Sequence, residues 1–431
     1  MAGSSPSLKR KSPAPTASGK KAKLTASIPY PKDGSTIYLT PITYLRAQPE
    51  HMLTLRQLLY EDLLVNAKEK RTLQAAFMTT YCHEDEFIAA IVQSGIRFCL
   101  VTHGKRSKVE RISENYTVIF PKMKTSWGKF HPKLYLLKFP ACLRVVVTSA
   151  NLLKHDWSEI GQTIWFQDFP AGFASGDFST SLQSFTTEII PNSQFSLQQD
   201  LDIDLTAYDF SVAKVALLAS IPGRYQALSS YGLGRMHALV KATGNKYSQA
   251  TFQFSSISGL SASFLQQVQV SFTDNEHCTL GLVYPTLGRV QLCRRGLDAG
   301  LTTFLDQKTY QNPAFPKASL RKLEDPSDFP EITGHLCHSK VLIVANSTID
   351  DDSLIYLGSH NLSSSAWGRF EKADSQLFMA NYELGVVFLP APHSAAMKQA
   401  IISRLPFQYP PAPYGREDEP WMLDVHHPEE Q

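Results

Sequence analysis

Two stretches of this 431-residue chain carry the same polar residues, similarly spaced, inside apolar sequence. In the first, His131 and Lys133 precede a hydrophobic run that ends in Ser149-Ala150-Asn151-Leu152. In the second, His338 and Lys340 precede a run that ends in Ser359-His360-Asn361-Leu362. Lysine and asparagine stand 18 residues apart in the first copy and 21 in the second. Two imidazoles, two ammoniums and two amides, with no carboxylate in either motif, suit an anionic phosphodiester. The lysines supply positive charge, and the amides donate hydrogen bonds without adding another charge to desolvate. A neutral imidazole can attack phosphorus and become a phosphohistidine, while a protonated one can give its proton to the leaving oxygen. A third His-x-Lys, His103-Gly104-Lys105, has polar flanks and a short spacing to Asn115, and reads as a chance match. The doubled pattern predicts one site built from two halves.

Strands must position these groups. Lys133, Tyr135 and Leu137 alternate with Leu134 and Leu136, so His131 and Lys133 share a face, as do His338 and Lys340. Each Ser-x-Asn ends the neighbouring strand, where a turn can aim its amide into the same pocket. The first half reads as a strand over 35–39, a helix over 54–64 capped by Thr54, a strand over 72–79 and a helix over 84–93. Strands follow at 96–102, 116–120, 133–137 and 143–148. Residues 170–205 are mostly polar, and the domain junction is placed there, near residue 200. The second half reads as helix 212–218, turn 221–224, helix 236–242, then strands at 251–254, 278–283, 339–344, 354–357 and 383–389. Apolar runs with little alternation, separated by helices, predict an α/β fold whose sheets are covered on both faces. Outside the motifs the two halves are unlike in sequence.

A hydrophobic content of 43% with 19% charged residues places the chain among soluble globular proteins. No apolar stretch approaches the roughly 18–20 residues of a membrane span, and no signal-peptide core is visible. Six cysteines without a C-x-x-C pair read as reduced, mostly buried thiols of an intracellular protein. The net charge of +3 is unevenly spread. Six basic residues and no acid fall in residues 1–24, which leaves the rest at −3. Any anion site in the folded part is therefore a local patch. The Ser/Pro/Lys-rich start predicts a disordered basic tail over 1–30. Its clusters Lys9-Arg10-Lys11 and Lys20-Lys21-Ala22-Lys23 resemble a bipartite nuclear localisation signal, so a nuclear location is expected.

On these motifs the chain resembles the phospholipase D superfamily and, within it, the tyrosyl-DNA phosphodiesterase family. The superfamily's usual H-x-K-x(4)-D lacks its aspartate here, where Lys138 and Ala345 stand, and that absence marks the tyrosyl-DNA phosphodiesterase branch. Gly161-Gln162-Thr163-Ile164-Trp165, Tyr382-Glu383-Leu384-Gly385-Val386, Ala366-Trp367-Gly368, and Tyr414-Gly415 with Pro420-Trp421 are also similar to that branch. The resemblance covers roughly residues 35–425 and implies two phospholipase D-like domains, 31–200 and 201–431. Each would be a mixed sheet flanked by helices, the pair related by pseudo-two-fold symmetry.

It further implies that His131 is the nucleophile and that His338 is the general acid and later the base. Lys133, Lys340, Asn151 and Asn361 would hold phosphate oxygens. Glu383 would orient His131, and Gln162 would orient His338. The implied activity is DNA repair, removing tyrosine from a DNA 3′ end as left by a stalled topoisomerase I. The implied partner is single-stranded or broken-end DNA, with no membrane and with a monomer sufficient, because one chain holds a complete site. Tyr81, Trp127, Lys129, Ser256 and Ser363 would contact the substrate; Lys122 and Lys124 add cations beside Trp127, as a stacked single strand requires. Phe130 suits stacking and core packing equally. No cofactor or metal is expected, since His335-Leu336-Cys337-His338 lacks a second ligand pair. Two other readings are a lipid phosphodiesterase or nuclease of the same superfamily and an inactive scaffold that binds DNA ends.

Overall fold

The structure is a computed structural model that describes residues 32–42, 50–59, 73–191, 194–327 and 334–428. The expected basic tail over 1–30 lies outside the described residues, as does the expected 54–64 helix beyond Leu59. Thr54 does cap that helix: its Oγ1 accepts from Gln57 N (3.1 Å) while Gln57 Oε1 accepts from Thr54 N (2.8 Å).

In the first half, β1 (Tyr38–Leu39), β2 (Ala75–Thr80), β3 (Arg97–Thr102), β4 (Lys108–Ser113), β5 (Tyr116–Phe120), β6 (Leu134–Lys138), β7 (Cys142–Thr148) and β8 (Thr163–Pro170) form one mixed sheet. Its order is β1-β8-β7-β6-β2-β3-β5-β4. The second half holds β9 (Ala216–Ser220), β11 (Gln249–Gln253), β12 (Thr279–Tyr284), β13 (Leu320–Lys322), β14 (Val341–Ala345), β15 (Leu354–Gly358) and β18 (Glu383–Phe388). Read from β9, that sheet runs β9-β18-β15-β14-β11-β12-β13. A small sheet of β10 (Gly223–Tyr225), β16 (Arg369–Glu371) and β17 (Gln376–Met379) lies beside it in the order β10-β17-β16.

The two large sheets match strand for strand, with β4 as an extra edge strand in the first. Orientation matches too: β2, β3 and β5 are parallel, as are β11, β12 and β13. The remaining equivalent pairs are antiparallel in both halves. Halves that look unlike in sequence therefore share one topology. A sheet buried on both faces asks only for apolar residues, which many sequences supply. His131 and Lys133 lead into β6 as His338 and Lys340 lead into β14. Asn151 follows the end of β7 as Asn361 follows the end of β15, and Gln162 and Glu383 stand at the starts of β8 and β18.

Alternation along β6 sorts its side chains. Leu134 and Leu136 join an apolar cluster that continues through the second half, with Val145, Val147, Tyr382 and Val386 among its members. Tyr135 and Leu137 face a second cluster with Ile88 and Ile91 of the helix Asp85–Gln93.

Two expectations are corrected. Residues 170–205 are not a polar connection: Asp177–Ile189 is a helix that buries Phe178, Leu182, Phe185 and Ile189. Those positions follow helical spacing, hidden by the many Ser and Thr between them. The expected helix over 212–218 gives way to β9, fully buried and paired with β18. Ala and Leu favour helices in isolation, but completion of the sheet decides here.

Candidate active site

Backbone hydrogen bonds stitch the halves together at the histidines. His131 N donates to Tyr382 O (3.0 Å) and Tyr382 N to Lys129 O (2.9 Å). In the equivalent place, His338 N donates to Gly161 O (2.9 Å) and Gly161 N to Leu336 O (3.0 Å). Glu383 and Gln162, the residues after Tyr382 and Gly161, thereby come beneath the opposite half's imidazole.

Glu383 is 1% exposed, and donors surround its carboxylate. Oε2 accepts from His131 Nδ1 (2.8 Å) and Ser359 Oγ (2.6 Å), and Oε1 accepts from Asn381 Nδ2 (3.0 Å). Burial alone would raise its pKa, but His131 and the hydroxyl bring it down to about 2. An ionised carboxylate only accepts, so His131 carries its proton on Nδ1 and leaves the Nε2 lone pair open. Burial holds the His131 ring below the usual imidazole range; Glu383 opposes that and Lys133 adds to it.

The same construction recurs at His338 with reversed polarity. Ser149 Oγ accepts from Thr163 N (3.0 Å) and donates to Gln162 Oε1 (2.7 Å). Gln162 Nε2 is then the donor to His338 Nδ1 (3.3 Å), and the proton of His338 sits on Nε2. One histidine thus offers a lone pair and the other an N–H. Burial, then Lys340 and Lys133, hold His338 well below the usual imidazole range.

Both lysines are fully buried, and each donates to its own histidine's carbonyl: Lys133 Nζ to His131 O (2.8 Å) and Lys340 Nζ to His338 O (2.5 Å). Burial drops Lys133 to about 8 and, aided by the Lys133 charge, brings Lys340 well below its usual value. These electrostatics are those of a pocket made for an anion. Asn361 Oδ1 accepts from Ser255 N, Ser255 Oγ and Ser256 N (3.2, 3.2 and 3.0 Å), which turns its amide nitrogen outward. Asn151 is held differently. Asp156 Oδ2 takes both its backbone N and its Nδ2 (2.6 and 3.1 Å), and Trp157 Nε1 donates to its carbonyl (2.9 Å).

Of the expected substrate contacts, Tyr81 stands edge-on to His131, with ring centroids 5.6 Å apart. Lys122, Lys124, Trp127 and Lys129 are exposed, Trp127 at 62%, on the segment that leads into His131. Phe130 is instead fully buried against Tyr382 (5.6 Å), which assigns it to the core. Ser256 is half-buried beside Asn361, and Ser363 caps the short helix Ser364–Trp367 by accepting from Ala366 N (3.2 Å). Lys138, in the place of the superfamily's aspartate, pairs with Asp202, and Ala345 is buried. His335 Nδ1 faces the Glu159 carbonyl (3.0 Å), and among the described residues no group of three or more His, Cys, Asp or Glu is placed to hold a metal.

Sequence reasoning passed over Asp156 and Asn381 and set His103 aside as a chance match. Asp156, five residues after Asn151, and Asn381, two before Glu383, were close enough to a motif to be noticed. Ser149 and Ser359 were visible as the serine of each Ser-x-Asn, but their role beneath Gln162 and Glu383 was not.

Two α/β halves of one topology, each presenting a His-Lys-Asn set to a shared pocket, define a phospholipase D-like protein. The family model for tyrosyl-DNA phosphodiesterase matches residues 36–415, and the chain belongs to that family. Tyrosyl-DNA phosphodiesterase 1 of Arabidopsis thaliana is 26% identical over 394 residues, covering 74% of this chain and 63% of the relative. The Drosophila melanogaster protein of the same name is 26% identical over 459 residues, covering 94% and 76%. A probable tyrosyl-DNA phosphodiesterase of Caenorhabditis elegans is 23% identical over 430 residues, covering 91% and 90%. The crystal structure of the yeast tyrosyl-DNA phosphodiesterase shares the fold, with a TM-score of 0.70 at 16% identity, over 90% of this chain and 99% of that one. The chain spans less than two thirds of the Arabidopsis relative's length.

Proposed function

We propose that the chain hydrolyses the phosphodiester between a DNA 3′ end and a tyrosine or tyrosyl peptide, as left by topoisomerase I, through a phosphohistidine on His131. The observation that carries this reading is the opposite hydrogen-bond polarity beneath the two imidazoles. His131 Nε2 attacks phosphorus, the bond from phosphorus to the tyrosine oxygen breaks, and that oxygen takes a proton from His338. His338 then takes a proton from water, which attacks phosphorus and frees His131, leaving a 3′-phosphate on the DNA. Lys133, Lys340 and the two asparagines hold the non-bridging oxygens, and Glu383 stabilises the positive charge that develops on His131.

His338 must be an imidazolium for the first step, and a bound phosphodiester supplies the negative charge that raises its low pKa. Its Nδ1 then becomes a donor, which Gln162 can meet only by giving up its Oε1 bond from Ser149 and turning that oxygen inward, so the opposed polarity belongs to the resting site. Tyr81, Trp127 and Lys129 line the strand's path on the His131 side, with Ser256 and Ser363 beside Asn361. One chain holds the whole site, so a monomer suffices. Among the described residues no helix is long and apolar enough to cross a membrane. The two basic clusters within residues 9–23 would direct the protein to the nucleus, which a fluorescent fusion with and without them tests.

The reading is tested with a 3′-phosphotyrosyl oligonucleotide in excess chelator. Turnover is expected. Cleavage only with added metal, or of lipid alone, would reject it. His131→Ala should abolish covalent capture. His338→Ala should capture DNA from an activated aryl leaving group and release it slowly. Normal turnover by His338→Ala, with adduct accumulating on His131→Ala, would reverse the two roles.

A further inference from the structure

His103 belongs to the third His-x-Lys, whose sequence context gave it no role. Its Nδ1 accepts from Phe130 N (3.2 Å), the residue immediately before His131. A ring whose Nδ1 accepts keeps its proton on Nε2. Among the described residues no hydrogen-bond acceptor meets that Nε2–H. The ring stacks on Tyr81 (5.3 Å between centroids, 27° between planes), and Tyr81 in turn stands edge-on to His131. Three rings therefore form a row leading away from the reacting imidazole. Lys129, exposed and adjacent to Phe130, acts on the same ring: burial first, then the Lys129 charge, lower the His103 pKa. Among the described residues no carboxylate is one of the groups that act on His103.

A strand whose terminal phosphorus is bonded to His131 must run out of the pocket past neighbouring side chains, with one phosphate per nucleotide. An N–H fixed in direction by Phe130 and the exposed ammonium of Lys129 form a donor pair for such a phosphate. We infer that His103 and Lys129 form a second anion subsite, which grips a backbone phosphate of the DNA strand upstream of the scissile ester. The subsite rests on the phosphodiesterase reading given above. It holds the strand in register and makes longer 3′ ends better substrates than a single nucleotide.

The test uses 3′-phosphotyrosyl oligonucleotides in which each of the three phosphates before the scissile ester is replaced, one at a time, by an uncharged methylphosphonate. Wild-type protein should lose about tenfold in kcat/KM at one position, the effect of one charge-assisted hydrogen bond. In His103→Asn, whose amide oxygen can still accept from Phe130 N, and in Lys129→Ala, that same replacement should cost little. Each variant is compared with itself across substrates, so partial misfolding cancels. Equal losses in wild type and both variants at every position would overturn the subsite. Failure of wild type to cleave the unmodified oligonucleotide would instead overturn the phosphodiesterase reading, and the subsite with it.

Discussion

Glu383 and Gln162 occupy equivalent positions at the starts of β18 and β8, yet Glu383 accepts from a histidine Nδ1 and Gln162 donates to one. A single exchange of oxygen for nitrogen thus reverses the hydrogen bond beneath two otherwise similar imidazoles.

Glu383→Gln should keep the fold and lower kcat by about 10²-fold or more, the usual scale for a residue that sustains nucleophile or acid–base chemistry. The amide cannot stabilise the charge that grows on His131. Single-turnover capture with an activated aryl phosphodiester measures the step. Capture within threefold of wild type would contradict the assigned role.

The same substitution makes a prediction about pH and stability. The folded-state pKa of Glu383 is depressed from 4.5 to about 2, so its contribution is complete above pH 4.5 and disappears as pH falls towards 2. The difference in Tm between wild type and Glu383→Gln should shrink across that window. A difference independent of pH would show that folding leaves the Glu383 pKa unshifted.

Gln162→Glu should place a carboxylate under His338 and raise its pKa from its depressed value. The alkaline fall of kcat, set by loss of the acid's proton, should move to higher pH. An unshifted alkaline limb would remove His338 from the proton-donating step.

Binding of a phosphodiester should take up protons. Both histidines are held below their usual range and Lys133 near 8. A negative ester reverses the opposition of the two lysines, so net uptake of about one proton is expected near pH 8. Titration calorimetry of His131→Ala with substrate, in buffers of different ionisation enthalpy, reads it directly. A binding enthalpy unaffected by buffer would refute the coupling.

Asn381→Ala should lower kcat more than it raises KM. Asn381 gives Nδ2 to Glu383 Oε1 (3.0 Å) and accepts from Lys129 N (2.9 Å), so it holds the carboxylate against the segment before His131. A loss of about tenfold is expected for a neutral donor to a buried charge. Asn381→Asp should be worse than Asn381→Ala, because it sets a second carboxylate against Glu383. The reverse ranking would make Asn381 a packing residue only.

The repeated His-Lys-Asn sets were legible in the sequence because each sits at a fixed place relative to its own strands. The cross-pairing of Glu383 with His131 and Gln162 with His338, taken from the family resemblance, is the pairing found. It could not be read from spacing, since partners 252 and 176 residues apart meet only through the fold. His103 was set aside for the same reason: its environment comes from Tyr81 and Phe130 rather than from its polar neighbours in sequence. The strand β9 was mistaken for a helix because Ala216–Ser220 looks helical until β18 lies beside it. The helix Asp177–Ile189 was missed because its four buried apolar residues are diluted by serine and threonine. Strand order, by contrast, left no trace in the residues: the doubled motif showed that the halves correspond at the site, and only the topology shows that they correspond strand for strand.

The reciprocal bonds from His131 to Tyr382 and from His338 to Gly161 also bear on symmetry. A dimer of two identical halves would place the same side chain under both imidazoles, and both would then expose the same atom to the ester. A single polypeptide escapes that constraint and can set a carboxylate under one imidazole and an amide under the other, as Glu383 and Gln162 do here.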